Sequence, residues 1–252
     1  MRIFGLLICS FVALPAQAFV LLSGPAEARL AVSPTAPTAN FYWDGSVPTL
    51  QNVEDVFEGR WADLDDHDIM KQVLLYALKT WSEVPGSYLR LALVEEADVA
   101  ADSADGKNVI VVKHDKNLSS AAYALPTIDG NTITDCDISI ADTRVPLHNL
   151  IYILTHELGH CLGLGHAHSN YGAIMGYARS ERSPSLGADD MAGLIYLYSD
   201  PHTAQSHNLG GKLNDFMACG EVKRAHSPST PNQVVTLTFL LPLFLAGLFL
   251  RR

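Results

Sequence analysis

Apolar residues fall at two clear helical periods in this chain. Leu150, Leu154, Leu158 and Leu162 recur every fourth residue. That period puts them on one side of a helix and predicts that this side is buried. Pro146 and Asn149 mark its start. A second stripe, Ile69, Val73, Ala77 and Trp81, predicts a helix over His67–Glu83. Asp65 or Asp66 caps its beginning and Pro85-Gly86 ends it. Strands are predicted where β-branched residues cluster: Tyr88–Val94, Asn108–Lys113 and Ile133–Ile140, the last after a turn at Asp129-Gly130-Asn131. Helices interleaved with strands of this length predict an α+β fold around one core.

The two ends have a different texture. Met1–Ala18 has one charge, Arg2, then an apolar run from Ile3 to Leu14 and a small-x-small site at Ala16-Gln17-Ala18. This reads as a secretory signal. Phe19–Asn40 is rich in Ala and Pro and reads as a lead-in segment, a linker or poorly ordered. Residues 41–200 form the expected main domain, and 201–233 a polar spacer. Val234–Leu250 is apolar and precedes Arg251-Arg252. Residues 234–252 are therefore expected to be a hydrophobic anchor or a cleavable sorting tail, with the main domain facing outward.

Composition narrows the function. A formal net charge of −10 argues against a nucleic-acid partner. Four cysteines are present, of which Cys9 leaves with the signal. In an exported chain Cys136 and Cys161 are expected to form a disulfide, with free buried thiols as the alternative, and Cys219 is left over. Asp98, Asp102 and Asp105 have ligand chemistry for Ca²⁺, but the surrounding acidic run reads as solvated surface, so no calcium site is expected. His67 and His114 read as surface residues.

The chemistry is concentrated on the first helix described. His156-Glu157-Leu158-Gly159-His160 continues to Gly163 and His166, giving H-E-x-x-H-x-x-G-x-x-H. His156 and His160 lie one helical turn apart and share a face opposite the leucines. Gly163 lets the chain leave the helix, and the turn brings His166 back as a third ligand. Three imidazoles and one open position describe a catalytic Zn²⁺ site. Glu157 stands beside a ligand, where it can take a proton from water.

This motif resembles that of the metzincin zinc metallopeptidases. Ala173-Ile174-Met175-Gly176-Tyr177 is similar to the Met-turn of that clan, and Leu186–Tyr198 is similar to the last helix of its matrixin branch. The resemblance covers residues 41–200, strongly after Asn149. It departs from the matrixins at Ala167, and at Tyr177, since Met-x-Tyr resembles the astacin and serralysin branches. The resemblance implies a twisted mixed sheet with the active-site helix and a second helix packed on it. A small C-terminal subdomain would hold the Met-turn and the final helix. Ser119–Pro126 would form the cleft's upper rim, an edge strand that pairs with extended substrate. Tyr177 would lie near the zinc and stabilise the oxyanion, or else line the specificity pocket. Asp189 or Asp190 would hydrogen-bond the Met-turn backbone.

The expected protein is an exported zinc-dependent endopeptidase, a monomer acting on polypeptides at the cell surface or outside it. Its catalytic residues would be Glu157 and Tyr177, and its one metal Zn²⁺ on His156, His160 and His166. The alternatives are a zinc-containing surface-binding module without proteolytic activity and a hydrolase of cell-wall amides.

Overall fold

A computed structural model describes residues 19–23, 27–61, 63–101, 104–113, 120–167, 172–176 and 183–202. The signal segment, Asp102, His114, His168, Tyr177, Cys219 and the 234–252 tail lie outside the described residues. Among the described residues, no helix is long and apolar enough to cross a membrane.

The architecture is α+β. The main sheet contains β2 (Arg29–Leu30), β3 (Thr38–Trp43), β5 (Arg90–Glu95), β6 (Asn108–Lys113), β7 (Ala122–Asp129) and β8 (Thr132–Ala141). Its order is β5-β3-β6-β8-β7, with β2 beside the first residues of β8. All pairings are parallel except the hairpin of β7 on β8. A parallel interior needs cover, and α1 (Asp66–Ser82) and α2 (Leu147–Cys161) supply it. Both helices bury the predicted stripes: Ile69, Val73, Ala77 and Trp81 on one, Leu150, Leu154 and Leu158 on the other. They are joined by a buried hydrogen bond, in which the Trp81 indole donates to the Thr155 carbonyl at 2.8 Å. The Asp65 side chain accepts from the Asp68 amide at 2.8 Å, which fixes the start of α1.

A disulfide links Cys136 of β8 to Cys161 at the end of α2. It ties α2 to the sheet with both cysteines fully buried. Two further short pairings complete the frame. β4 (Leu50–Gln51) runs parallel to β9 (Val145–Pro146), and β1 (Val20–Leu21) runs antiparallel to β10 (Leu164–Gly165).

The stretch 19–40 therefore differs from the expected loose lead-in. Its described residues carry β1, β2 and the start of β3, and Ala28 and Leu30 are buried. The cause is long-range. The Leu30 amide donates to the Tyr198 hydroxyl at 2.9 Å, and that hydroxyl donates to the Leu162 carbonyl at 3.0 Å. Burial pushes the Tyr198 phenol far above its ordinary pKa, so it keeps the proton this relay needs. Arg29 adds a bond from its guanidinium to the Leu197 carbonyl at 3.1 Å. Tyr198 and Leu197 stand at the end of α3 (Ala188–Leu197), so the two ends of the described chain clasp each other.

Candidate metal centre

The last two turns of α2 carry His156, Glu157 and His160. After Cys161 the chain must reverse at once to bring back His166. Gly163 makes that reversal at φ +96°, and a Cβ there would run into the Ala28 carbonyl. β10 follows, and His166 comes next.

The three rings converge. His166 Nε2 lies 3.1 Å from His156 Nε2 and 3.2 Å from His160 Nε2. Their other nitrogens are already committed. His156 Nδ1 donates to the Ile174 carbonyl at 2.6 Å, and His160 Nδ1 donates to the Leu164 carbonyl at 2.8 Å. A carbonyl only accepts, so Nδ1 carries the proton in both rings and Nε2 presents a lone pair. Burial holds both rings below the usual histidine pKa, His160 at about 4, with each neighbouring imidazole adding to the effect. Three nearly touching nitrogens with at most one proton among them repel unless a cation lies between them. At zinc–nitrogen distances of about 2.0–2.1 Å, tetrahedral geometry separates ligand nitrogens by roughly 3.3 Å. The observed spacings match that edge, so the donor set fits Zn²⁺.

Glu157 is buried beside this cluster, 9% exposed. Burial pushes its carboxyl up to about 7, and an amide bond from Ala124 on β7 works against that rise. The group is thus held near neutrality and anchored to the neighbouring sheet edge. Among the described residues β7 pairs with no strand other than β8, and its Ala124 and Pro126 line a groove with His160 and His166.

Below the histidines, Ala173, Ile174 and Met175 are buried. Asp190, 2% exposed, holds this turn. Its carboxylate accepts from the amides of Ile174 at 2.6 Å, Met175 at 3.1 Å and Gly187 at 2.7 Å. One connected path therefore runs from Asp190 through Ile174 to His156. Met175 also accepts an amide bond from Ala167 at 2.8 Å, which fixes the residue after the third histidine.

The structure thus brings His156, His160, His166 and Glu157 together, while Tyr177 is outside the described residues. His67 is placed elsewhere, stacked on Trp43 and paired with Glu95 at 3.0 Å. A groove of about 370 Å³ adjoins the histidines. A larger one, about 760 Å³, lies between α1 and β5 and contains none of these residues. Backbone groups were invisible to sequence reasoning here: the carbonyls of Ile174 and Leu164 and the amide of Ala124 have no residue-type signature.

A part-buried three-histidine cradle, two rings on a helix and the third after the turn that follows it, with a carboxylate beside it and a methionine turn beneath, defines a metallopeptidase-like centre. Comparison with known proteins narrows the class. The matrixin family model matches residues 56–199, and the chain belongs to that family. It is 33% identical to human matrix metalloproteinase-15 over 129 residues, 48% of this chain and 19% of that protein. It is 29% identical to rat matrilysin over 136 residues, 52% of this chain and 51% of the relative. It is 28% identical to mouse interstitial collagenase B over 134 residues, 52% of this chain and 29% of the relative. The chain thus spans about half or less of the length of these relatives.

Proposed function

We propose that this protein is an exported zinc-dependent endopeptidase. His156, His160 and His166 hold the ion, and the reading is carried by the convergence of three Nε2 atoms at ligand spacing. Bound zinc would supply Lewis-acid polarisation of the scissile carbonyl and lower the pKa of a water. Glu157 takes a proton from the attacking water and passes it to the leaving amine; burial raises its carboxyl pKa and so strengthens it as a base. The Nδ1 bonds to Ile174 and Leu164 keep the ligand rings in one tautomer and one orientation. The β7 edge, beyond the Ala124 amide taken by Glu157, offers main-chain partners to an extended polypeptide, which favours a peptide substrate over a small amide. Tyr177, one residue past Gly176 in the methionine turn, is assigned to the oxyanion.

The organisation proposed for the whole chain is a signal at 1–18, a catalytic domain ending near 200, a spacer at 201–233 and a hydrophobic tail at 234–252. Maturation outside the reducing cytosol is supported by the Cys136–Cys161 bond.

The test is peptide cleavage by the purified chain, with and without chelator, beside Glu157→Ala and Tyr177→Phe. Cleavage abolished by chelator, restored by Zn²⁺ and lost in Glu157→Ala with zinc content intact is the expected result. Stoichiometric zinc without any cleavage would instead mark a binding module. An unchanged kcat in Tyr177→Phe removes Tyr177 from the mechanism.

A further inference from the structure

The segment Phe19–Leu22 lies where a loose leader would not. Val20 pairs with Gly165 and Leu21 with Leu164. The Leu22 amide extends the ladder by donating to the Gly163 carbonyl at 2.8 Å. This arm is therefore sewn to the backbone that immediately precedes His166. Side chains on a strand alternate between faces. Phe19 turns toward α3, its ring 5.4 Å from that of Tyr196, and Leu21 packs on the main core. Alternation then sends Val20 and Leu22 to the opposite face.

That face is the groove beside the metal centre. Val20, Leu22, Ala124, Pro126, His160 and His166 line it, together with Leu21 and Gly165 of the paired backbone. Its two long sides are thus the arm and the edge strand β7. Gly165 is what lets the arm sit so close: a Cβ there would stand 3.1 Å from Val20 Cγ1 and 3.1 Å from the Leu21 carbonyl oxygen. Val20 remains 36% exposed, although it is apolar and beside the candidate active centre. Apart from the histidines, the side chains facing the groove are apolar, which suits an apolar substrate residue.

We propose that the arm Phe19–Leu22 is one wall of the peptide cleft, and that Val20 selects the substrate side chain lying beside His166. This rests on the endopeptidase reading. An extended peptide occupies the groove between β7 and the arm. Its side chain nearest His166 meets Val20, so the character of residue 20 sets the preference at one position on one side of the scissile bond.

The experiment profiles the full-length chain on a peptide library randomised on both sides of the scissile bond. Wild type is compared with Val20→Asp and Val20→Lys. Wild type selects an apolar residue at the position concerned. Val20→Asp enriches Lys and Arg there by about tenfold, and Val20→Lys enriches Asp and Glu by about as much, since a mismatched pocket contact discriminates on that scale. Other positions keep their profile. Detachment of the arm would change both variants in the same direction, so equal changes overturn the proposal, as does an identical profile in all three. A general rise in cleavage of every peptide in both variants also overturns it, marking the arm as a plug rather than a wall. If wild type and Glu157→Ala alike cleave nothing, the endopeptidase reading itself falls, and this inference with it. Cleavage by wild type with an unmoved profile removes the inference alone.

Discussion

Replacing Asp190 with Asn keeps the shape of the side chain and changes only what its two terminal atoms can do. In the native chain those oxygens accept three backbone amides, from Ile174, Met175 and Gly187. Oδ2 accepts from Ile174 and Gly187, and Oδ1 accepts from Met175. The best placement of Asn leaves its one oxygen at the double site and turns its amide nitrogen toward the Met175 N–H. One buried donor then faces another. An unsatisfied buried donor costs about 1–3 kcal/mol, and weakening two charge-assisted bonds to neutral ones costs about 0.5–1 kcal/mol each. The sum is about 3 kcal/mol, a large share of the roughly 5–15 kcal/mol that holds a domain folded. The effect should also reach the metal, because Ile174 orients His156 through its carbonyl. Outlying partners of this kind change metal affinity by about tenfold or more. Urea unfolding of the metal-free chain measures the first effect, and a zinc competition titration measures the second. A variant within about 0.5 kcal/mol of wild type, with unchanged zinc affinity, would refute this account of the turn.

Four other outcomes are expected. Replacing Cys136 and Cys161 together by Ser should cost about 3 kcal/mol, because the bond closes a loop of 25 residues; a thermal melt with and without reductant checks it. Gly163→Ala should cost more than about 2 kcal/mol, since it combines positive φ with a clash against the Ala28 carbonyl; denaturant midpoints read this directly. Asp65→Ala should cost about 1 kcal/mol through loss of the cap on α1, visible as a small drop in Tm with activity retained. Chelation should lower the melting temperature of the whole domain and Zn²⁺ should restore it, because a ligand of the native state alone stabilises that state; a Tm indifferent to chelator would contradict the histidine cradle.

The helices were legible because local pattern decides them. The stripe from Ile69 to Trp81 and a cap at Asp65 or Asp66 predicted α1 to within a residue at each end, and the cap is Asp65. β6 matches its predicted span because Val109 to Val112 are β-branched and buried. β5 begins two residues later than predicted. The chain before it is tied instead to the far end, with Ser87 bridged to Ser199 and the Tyr88 amide bonded to the Tyr198 carbonyl. β1 and β2 were illegible for the same reason. Strands of two residues have no period, and only partners more than 100 residues away make them strands. Asp135 and Asp137 are buried in β8, where a sequence reader expects apolar residues. Their carboxylates accept the amides of Asp105, Gly106 and Val109, so each has a local structural use that composition does not reveal. At the candidate metal centre the convergence of His156, His160 and His166 was readable from spacing, because three histidines and a glycine leave few alternatives. The backbone groups that aim the rings were not.

The clasp between Leu30 and Tyr198 spans 168 positions of sequence. Asp190, which holds the turn under His156, comes almost as late. A ribosome that has delivered His156, His160 and His166 has therefore still not delivered the parts that lock them in place. While the chain is being synthesised, the turn under His156 lacks the carboxylate that holds it until α3 emerges.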